Sequence, residues 1–223
     1  MSFYLLINIA IISIPLLLSF ERRVMFYRKW PYVFRAILVI GFFYVAWDAL
    51  ATATGHWWFN PQHVSSIKLF FLPPEEILFF VTTPFSCLFI YEVVCFFHSD
   101  KSLRFPRMLG YALSLLGLIL GVIFIERHYT ALSFFSAALF FYAATRYFYV
   151  TLATQNFWIY LLICYVPFAI FNGILTGVPV VEYAADAILG WRIGTIPLED
   201  FIYNFSYLSF TLIAYRHYRS QKI

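Results

Sequence analysis

Charge is scarce in this chain. Only 12% of its 223 residues are Asp, Glu, Lys or Arg, against 63% hydrophobic and 23% aromatic. Too few polar residues remain to build a soluble surface, so lipid is the expected solvent. Cysteine is equally sparse: Cys87, Cys95 and Cys164 are odd in number and lie inside apolar runs, which argues against a disulfide framework or a zinc-type cluster. There is no Gly-x-Gly-x-x-Gly and no P-loop, so a dinucleotide or nucleotide has no motif. His56, His63, His98, His128 and His217 form no His-x-x-His, His-x-x-x-His or His-His pair, which disfavours a membrane di-iron oxygenase. No metal and no cofactor are expected. The net charge of +4 sits in short blocks between apolar runs rather than along one polar face, so nucleic acid is not an expected partner.

What the chain has is apolar length. Runs able to cross a hydrocarbon core at about 20 residues each fall at 3 to 20, 32 to 53, 75 to 97, 107 to 125, 131 to 150, 157 to 176 and 197 to 216. The run from Ser2 to Phe20 has no basic residues before it and no small-residue cleavage site after it, and reads as a retained first helix. Seven spans put Arg22, Arg23, Arg28, Lys29, Arg35, Lys101, Arg104, Arg107, Arg146, Arg216, Arg219 and Lys222 on one side, with only Lys68, Arg127 and Arg192 on the other. The positive-inside rule then predicts a cell-membrane protein with its N-terminus outside, its C-terminus cytoplasmic, and outer loops at 54 to 74 and 177 to 196. Trp57, Trp58 and Trp191 fall near the outer interface, and Trp30 and Trp158 near the inner one.

The sequence also repeats itself. A shift of 124 residues pairs Asp48 with Asn172, Thr52 with Thr176, Lys68 with Arg192, Pro73 with Pro197, Glu75 with Glu199, Glu76 with Asp200 and Tyr91 with Tyr215, without a gap. Apolar helices resemble one another cheaply; matched polar residues do not. The expected class is therefore an all-α integral membrane protein of about seven transmembrane helices, with two parallel three-helix repeats at 1–100 and 129–223 joined by a linker helix at 101–128. Gly117 and Gly121 in the linker form a Gly-x-x-x-Gly pair suited to close packing on a neighbour.

Pro73-Pro74-Glu75-Glu76 and Pro197-Leu198-Glu199-Asp200 each open an apolar helix. Proline and carboxylates suit a helix N-terminus on local grounds alone, but the motif recurs at one repeat position, and adjacent carboxylates beside an apolar stretch are costly to keep charged. One member of such a pair can stay protonated near neutrality and act as a general acid, the state needed to protonate a carbon-carbon double bond. Trp47, Trp57, Trp58 and Phe79 are candidate rings for stabilising the resulting cation. Asp48 with Thr52, and Asn172 with Thr176, share a helix face and are candidate partners of the carboxylates or interhelical polar contacts. Lys68 and Arg192 either hold a carboxylate ionised or mark the interface. Glu92 and its repeat mate Arg216 read as inner-interface residues.

The duplicated unit, each copy carrying Pro-x-Glu-Glu/Asp before an aromatic helix, resembles the heterodimer-type lycopene cyclases, in a fused single-chain form. Pro73 to Phe80 is the most specific part. The resemblance implies a carotenoid substrate, lycopene, taken from the bilayer, with its ψ ends converted to β-ionone rings by protonation, alkene attack and proton loss, giving γ-carotene and then β-carotene without net redox change. It places the acid role on Glu75 and Glu76 and, in the second copy, on Glu199 and Asp200, where Asp200 departs from a strict Glu-Glu. The rival readings are a membrane prenyltransferase, whose diphosphate motif is echoed by Asn172-x-x-x-Thr176 and Asp48-x-x-x-Thr52 but lacks the closing carboxylate, and a small transporter with intramembrane acids. A retinal protein needs a buried lysine that the last span lacks.

Overall fold

The computed structural model describes residues 1–221, so Lys222 lies outside the described residues. Helices occupy the expected apolar runs: α1 at Phe3–Leu18, α2 at Trp30–Ala53, α3 at Pro74–Phe97, α4 at Arg107–Ile123, α5 at His128–Tyr147, a one-turn α6 at Tyr149–Leu152, α7 at Gln155–Gly177 and α8 at Leu198–Ser220. The fifth run differs most from expectation. Its helix starts three residues earlier and breaks at Phe148, where the backbone leaves helical geometry before α6.

Three stretches are long and apolar enough to cross a membrane by length and composition: Phe26–Ala53, Pro74–Phe97 and Gln155–Gly177. Helices α1 and α4 are apolar but shorter. Helix α8 is polar for a buried reason: Asn204, Ser206, Ser209 and Thr211 are all enclosed by packing against α2 and α5, so its hydroxyls face protein rather than lipid. Elsewhere α1 lies on α3, and α4 lies on α5. The α4–α5 contact uses a small-residue stripe. A side chain on Gly117 would stand 3.0 Å from the Ala138 Cβ, one on Gly121 would enter the Phe135 ring, and Ser114 donates to the Ala138 carbonyl at 2.9 Å.

The 124-residue offset reappears in three dimensions. Shifted by it, α2 falls on α7 and α3 on α8. The loops after α2 and α7 carry short strands that hydropathy does not foretell, β1 at Trp57–Phe59 and β2 at Val181–Tyr183. They pair antiparallel with Trp58 opposite Glu182, itself a 124-residue pair, so a local two-fold axis passes between those two residues. A second ribbon, β3 at Arg192–Ile193 with β4 at Ile196–Pro197, matches the Leu69–Leu72 bridge of the first loop. The tight turn there puts Phe70 and Phe71 at φ of 53° and 71°, and Gly194, the mate of Phe70, at 64°.

At the other end, buried Glu92 of α3 binds Lys29 and Arg219 in ion pairs and accepts from Tyr215 at 2.7 Å. It is a structural cluster rather than a lone interface charge.

Candidate active site

Both acidic pairs sit in the first turn of a helix that follows an extended proline, Pro73 for α3 and Pro197 for α8. Successive helical residues are turned by about 100°, so neighbours in a pair cannot face the same way. Glu75 turns to the loop between α2 and α3, accepting from Ser2 Oγ at 2.5 Å, the Ser65 N–H at 3.0 Å and Ser65 Oγ at 3.1 Å. Glu199 does likewise, accepting from Thr130 Oγ1 at 2.6 Å and the Leu189 N–H at 2.7 Å. Ser65 and Leu189 are themselves 124 residues apart. These two carboxylates fasten loops to helix ends.

Glu76 and Asp200 turn inward. Both line one cavity of about 90 Å³ between the two halves of the chain, together with Asp48, Asn172, Trp57, Phe79, Phe80, Tyr203 and Tyr207. Asp48, Glu76 and Asp200 are at most 8% exposed, and no lysine, arginine or histidine among the described residues lines the cavity. Tyr4 donates to Glu76 Oε2 at 2.6 Å. Asp200 receives three donors: Tyr129 at 2.6 Å, Asn172 Nδ2 at 2.7 Å and Tyr183 at 2.9 Å. Burial, and then the Asp200 charge, hold the Tyr183 phenol well above its usual range, so in the loop between α7 and α8 it stays a donor. The Asp48 carboxyl stands beside that of Glu76; its Oδ1 accepts from Trp57 Nε1 at 2.6 Å, while Oδ2 is buried with no protein partner among the described residues.

The other sequence candidates fall outside the cavity. Trp47 backs it, packing on Tyr203 at 4.8 Å, and Trp58 is 45% exposed. Thr176 spends its hydroxyl on the Asn172 carbonyl and Thr195, and Thr52 does not reach the lining. Lys68 and Arg192 are exposed, and Arg192 donates to the Thr195 carbonyl at 2.6 Å, so neither neutralises the buried carboxyls. Among the described residues no group of three His, Cys, Asp or Glu side chains is placed to hold a metal ion.

Sequence reasoning missed Tyr4, Tyr129 and Tyr183. A signal for the first two was present: an offset of 125 instead of 124 pairs Tyr4 with Tyr129. The backbone bears it out, since the Tyr4 N–H donates to the His63 carbonyl and the Tyr129 N–H to the Ala187 carbonyl, 124 residues further on.

Comparison with known proteins adds one match. The family model described as lycopene cyclase covers residues 1–94 and 126–218, leaving out the whole of α4. No curated protein and no solved structure matches.

Proposed function

The chain belongs to the lycopene cyclase family, and from that premise we propose that it cyclises the ψ ends of lycopene to β-ionone rings by acid-initiated, non-redox chemistry, as an intramolecular lyase or isomerase. The observation that carries the reading is the meeting of Glu76 and Asp200, one from each half, in a single buried cavity with ten aromatic rings and no cation among the described residues.

The two halves differ where chemistry needs them to. In the first, Glu76 stands beside a second acid, Asp48; in the second, Asp200 stands beside an amide, Asn172. Two carboxyls side by side in a dry site hold a proton between them, because both charges together are too costly. Glu76, with Asp48, is thus the proton donor to the terminal double bond. A carboxyl receiving three donors is suited to the anionic form, so Asp200 stabilises the cation electrostatically as ring closure proceeds and accepts the proton that leaves the new ring. One proton enters and one departs. The faces of Trp57, Phe79 and Tyr203 supply further electron density to the cation, and water is kept from quenching it. Glu75 and Glu199 hold the loops that close the cavity.

Around this site we place seven spanning helices in a cell membrane, N-terminus outside and C-terminus cytoplasmic, with the acid cavity toward the outer face and the substrate drawn from the bilayer. Residues 1–100 and 129–223 form the two repeats, and 101–128 the linker that restores a common orientation.

The test is expression in a non-pigmented host that accumulates lycopene, with pigments resolved by chromatography. Wild type yields cyclic carotenoid. Glu76→Gln and Asp200→Asn each lose at least about a hundredfold in conversion, the scale of a general acid or base, whereas Glu75→Gln and Glu199→Gln keep the chemistry. Full loss in the outward pair with an active Glu76→Gln would overturn the assignment.

A further inference from the structure

A second cavity meets the first. It holds about 300 Å³ between α1, α3 and α7, at the lower end of the range for small-molecule sites. The two share Phe79, Thr83, Phe168, Asn172 and Asn204, so they adjoin along a common wall and outline a passage. Its wall is almost wholly apolar, and its rim carries Ala10 and Ile14, the latter 66% exposed on the lipid side of α1. At the junction, Thr83 Oγ1 and Asn204 Nδ2 are buried without partners among the described residues. A passage that is greasy at its mouth and carboxylic at its end fits a long hydrocarbon with a reactive tip.

The two-fold mate of this passage is filled. Shifting Phe79, Thr83, Phe168 and Phe171 by 124 gives Tyr203, Tyr207, Tyr44 and Trp47. These four pack on one another, with ring centroids 4.6 Å apart for Tyr44 and Tyr207, 5.1 Å for Tyr44 and Tyr203 and 4.8 Å for Trp47 and Tyr203. Tyr44 also bonds Ser136 and Ser206 at 2.8 and 2.9 Å. Duplication made two crevices; the second became core.

We infer that the crevice between α1, α3 and α7 is the single polyene portal, admitting one end of the substrate to the acids while the rest of the chain stays in the lipid. This rests on the cyclase reading. A molecule with two ends and a protein with one portal require two visits: the half-cyclised product leaves, reverses and re-enters, so monocyclic product accumulates before bicyclic.

The test blocks the mouth. Ala10→Trp and Ile90→Trp fill the crevice from α1 and α3, and Ile14→Trp is a further variant at the rim should either fold poorly. Leu38→Trp and Leu139→Trp, both lipid-exposed elsewhere, are the controls. Each protein is purified in detergent from lycopene-accumulating cells, checked for a single gel-filtration peak, and read for cyclic product and for lycopene retained per chain by absorbance. The expected result is a tenfold or greater fall in both readouts for the crevice variants, with the controls within twofold of wild type. Converting wild type with unaffected crevice variants would overturn the portal and leave the cyclase reading standing. A wild type that retains lycopene without converting it would sink the cyclase reading, yet the portal is then decided by retention alone. Wild type that neither retains nor converts lycopene overturns both.

Discussion

At the scale of single residues, the site depends on which way each carboxyl points, and the tyrosines that hold them are its most exposed dependency. A hydrogen bond to a charged group contributes about 1.5–3 kcal/mol, so losing one from a positioned acid or base is felt in turnover. Tyr129→Phe leaves Asp200 with two donors, and Tyr4→Phe leaves Glu76 without its tyrosine. The expected outcome for each is a fall of roughly tenfold in kcat with KM within twofold of wild type, measured on lycopene in detergent or liposomes; an unchanged kcat in both would remove the tyrosines from the mechanism. Six of the cavity residues were legible beforehand, namely Asp48, Glu76, Asn172, Asp200, Trp57 and Phe79, because a polar group in an apolar run is conspicuous and rings beside it are natural company. Tyr4 and Tyr129 were passed over, since their 125-residue offset falls one out of register with the other matched pairs and 17 tyrosines and 28 phenylalanines give any single ring little contrast. Sequence also could not separate Glu75 from Glu76: adjacency along the chain hides the turn of about 100° that sends one to a loop and the other to the cavity.

Among the elements, the long helices were readable and the loops were not. An apolar run of about 20 residues announces itself, so α1 to α5, α7 and α8 fall near their expected places. Strands of two or three residues carry no periodicity, and only the pairing of Trp58 with Glu182 reveals that the loops after α2 and α7 meet at the two-fold axis. Helix α8 shows how far apolarity misleads, because a helix face enclosed by α2 and α5 has no need to please lipid. Its C-terminal end is tied to α3 and to the turn before α2 through Glu92, whose carboxylate joins Lys29, Arg219 and Tyr215. Removing one partner of a buried ion pair strands the others, at a typical cost of about 3–5 kcal/mol. Glu92 is 3% exposed, but the side chains of Lys29 and Arg219 keep 21% and 45% of their surface, so Glu92→Gln is expected to cost about 3 kcal/mol, the low end of that range. Thermal unfolding in detergent measures it. Because the cluster lies at the opposite end of α3 and α8 from the acids, residual folded protein should keep its cyclising activity per molecule; a proportionate loss of both would tie the cluster to catalysis.

For the molecule as a whole, the acid cavity belongs to neither half. The first copy supplies Tyr4, Asp48, Trp57 and Glu76, the second Tyr129, Asn172, Tyr183 and Asp200, and they meet where the loops pair about the two-fold axis. Duplication alone would make two identical sites; meeting at the axis makes one, in which the mates Asp48 and Asn172, and Glu76 and Asp200, are free to take different roles. A cut in the α3–α4 connection, between Ser99 and Pro106, tests this directly. It leaves α1 to α3 in one fragment and α4 to α8 in the other, with the close α4–α5 contact intact and, on the orientation proposed above, both new ends on the cytoplasmic side. Either fragment expressed alone in lycopene-accumulating cells should give no cyclic carotenoid, since the first lacks Asp200 and the second lacks Asp48 and Glu76. Co-expressed, the fragments should restore product to at least a tenth of the intact level, because the core between α2, α3 and α8 that joins them is extensive and apolar. Co-expression of Glu76→Gln in the first fragment with wild-type second fragment should stay inactive. Product from a lone fragment would mean that one copy carries a complete site, and the division of labour between Glu76 and Asp200 would fall with it.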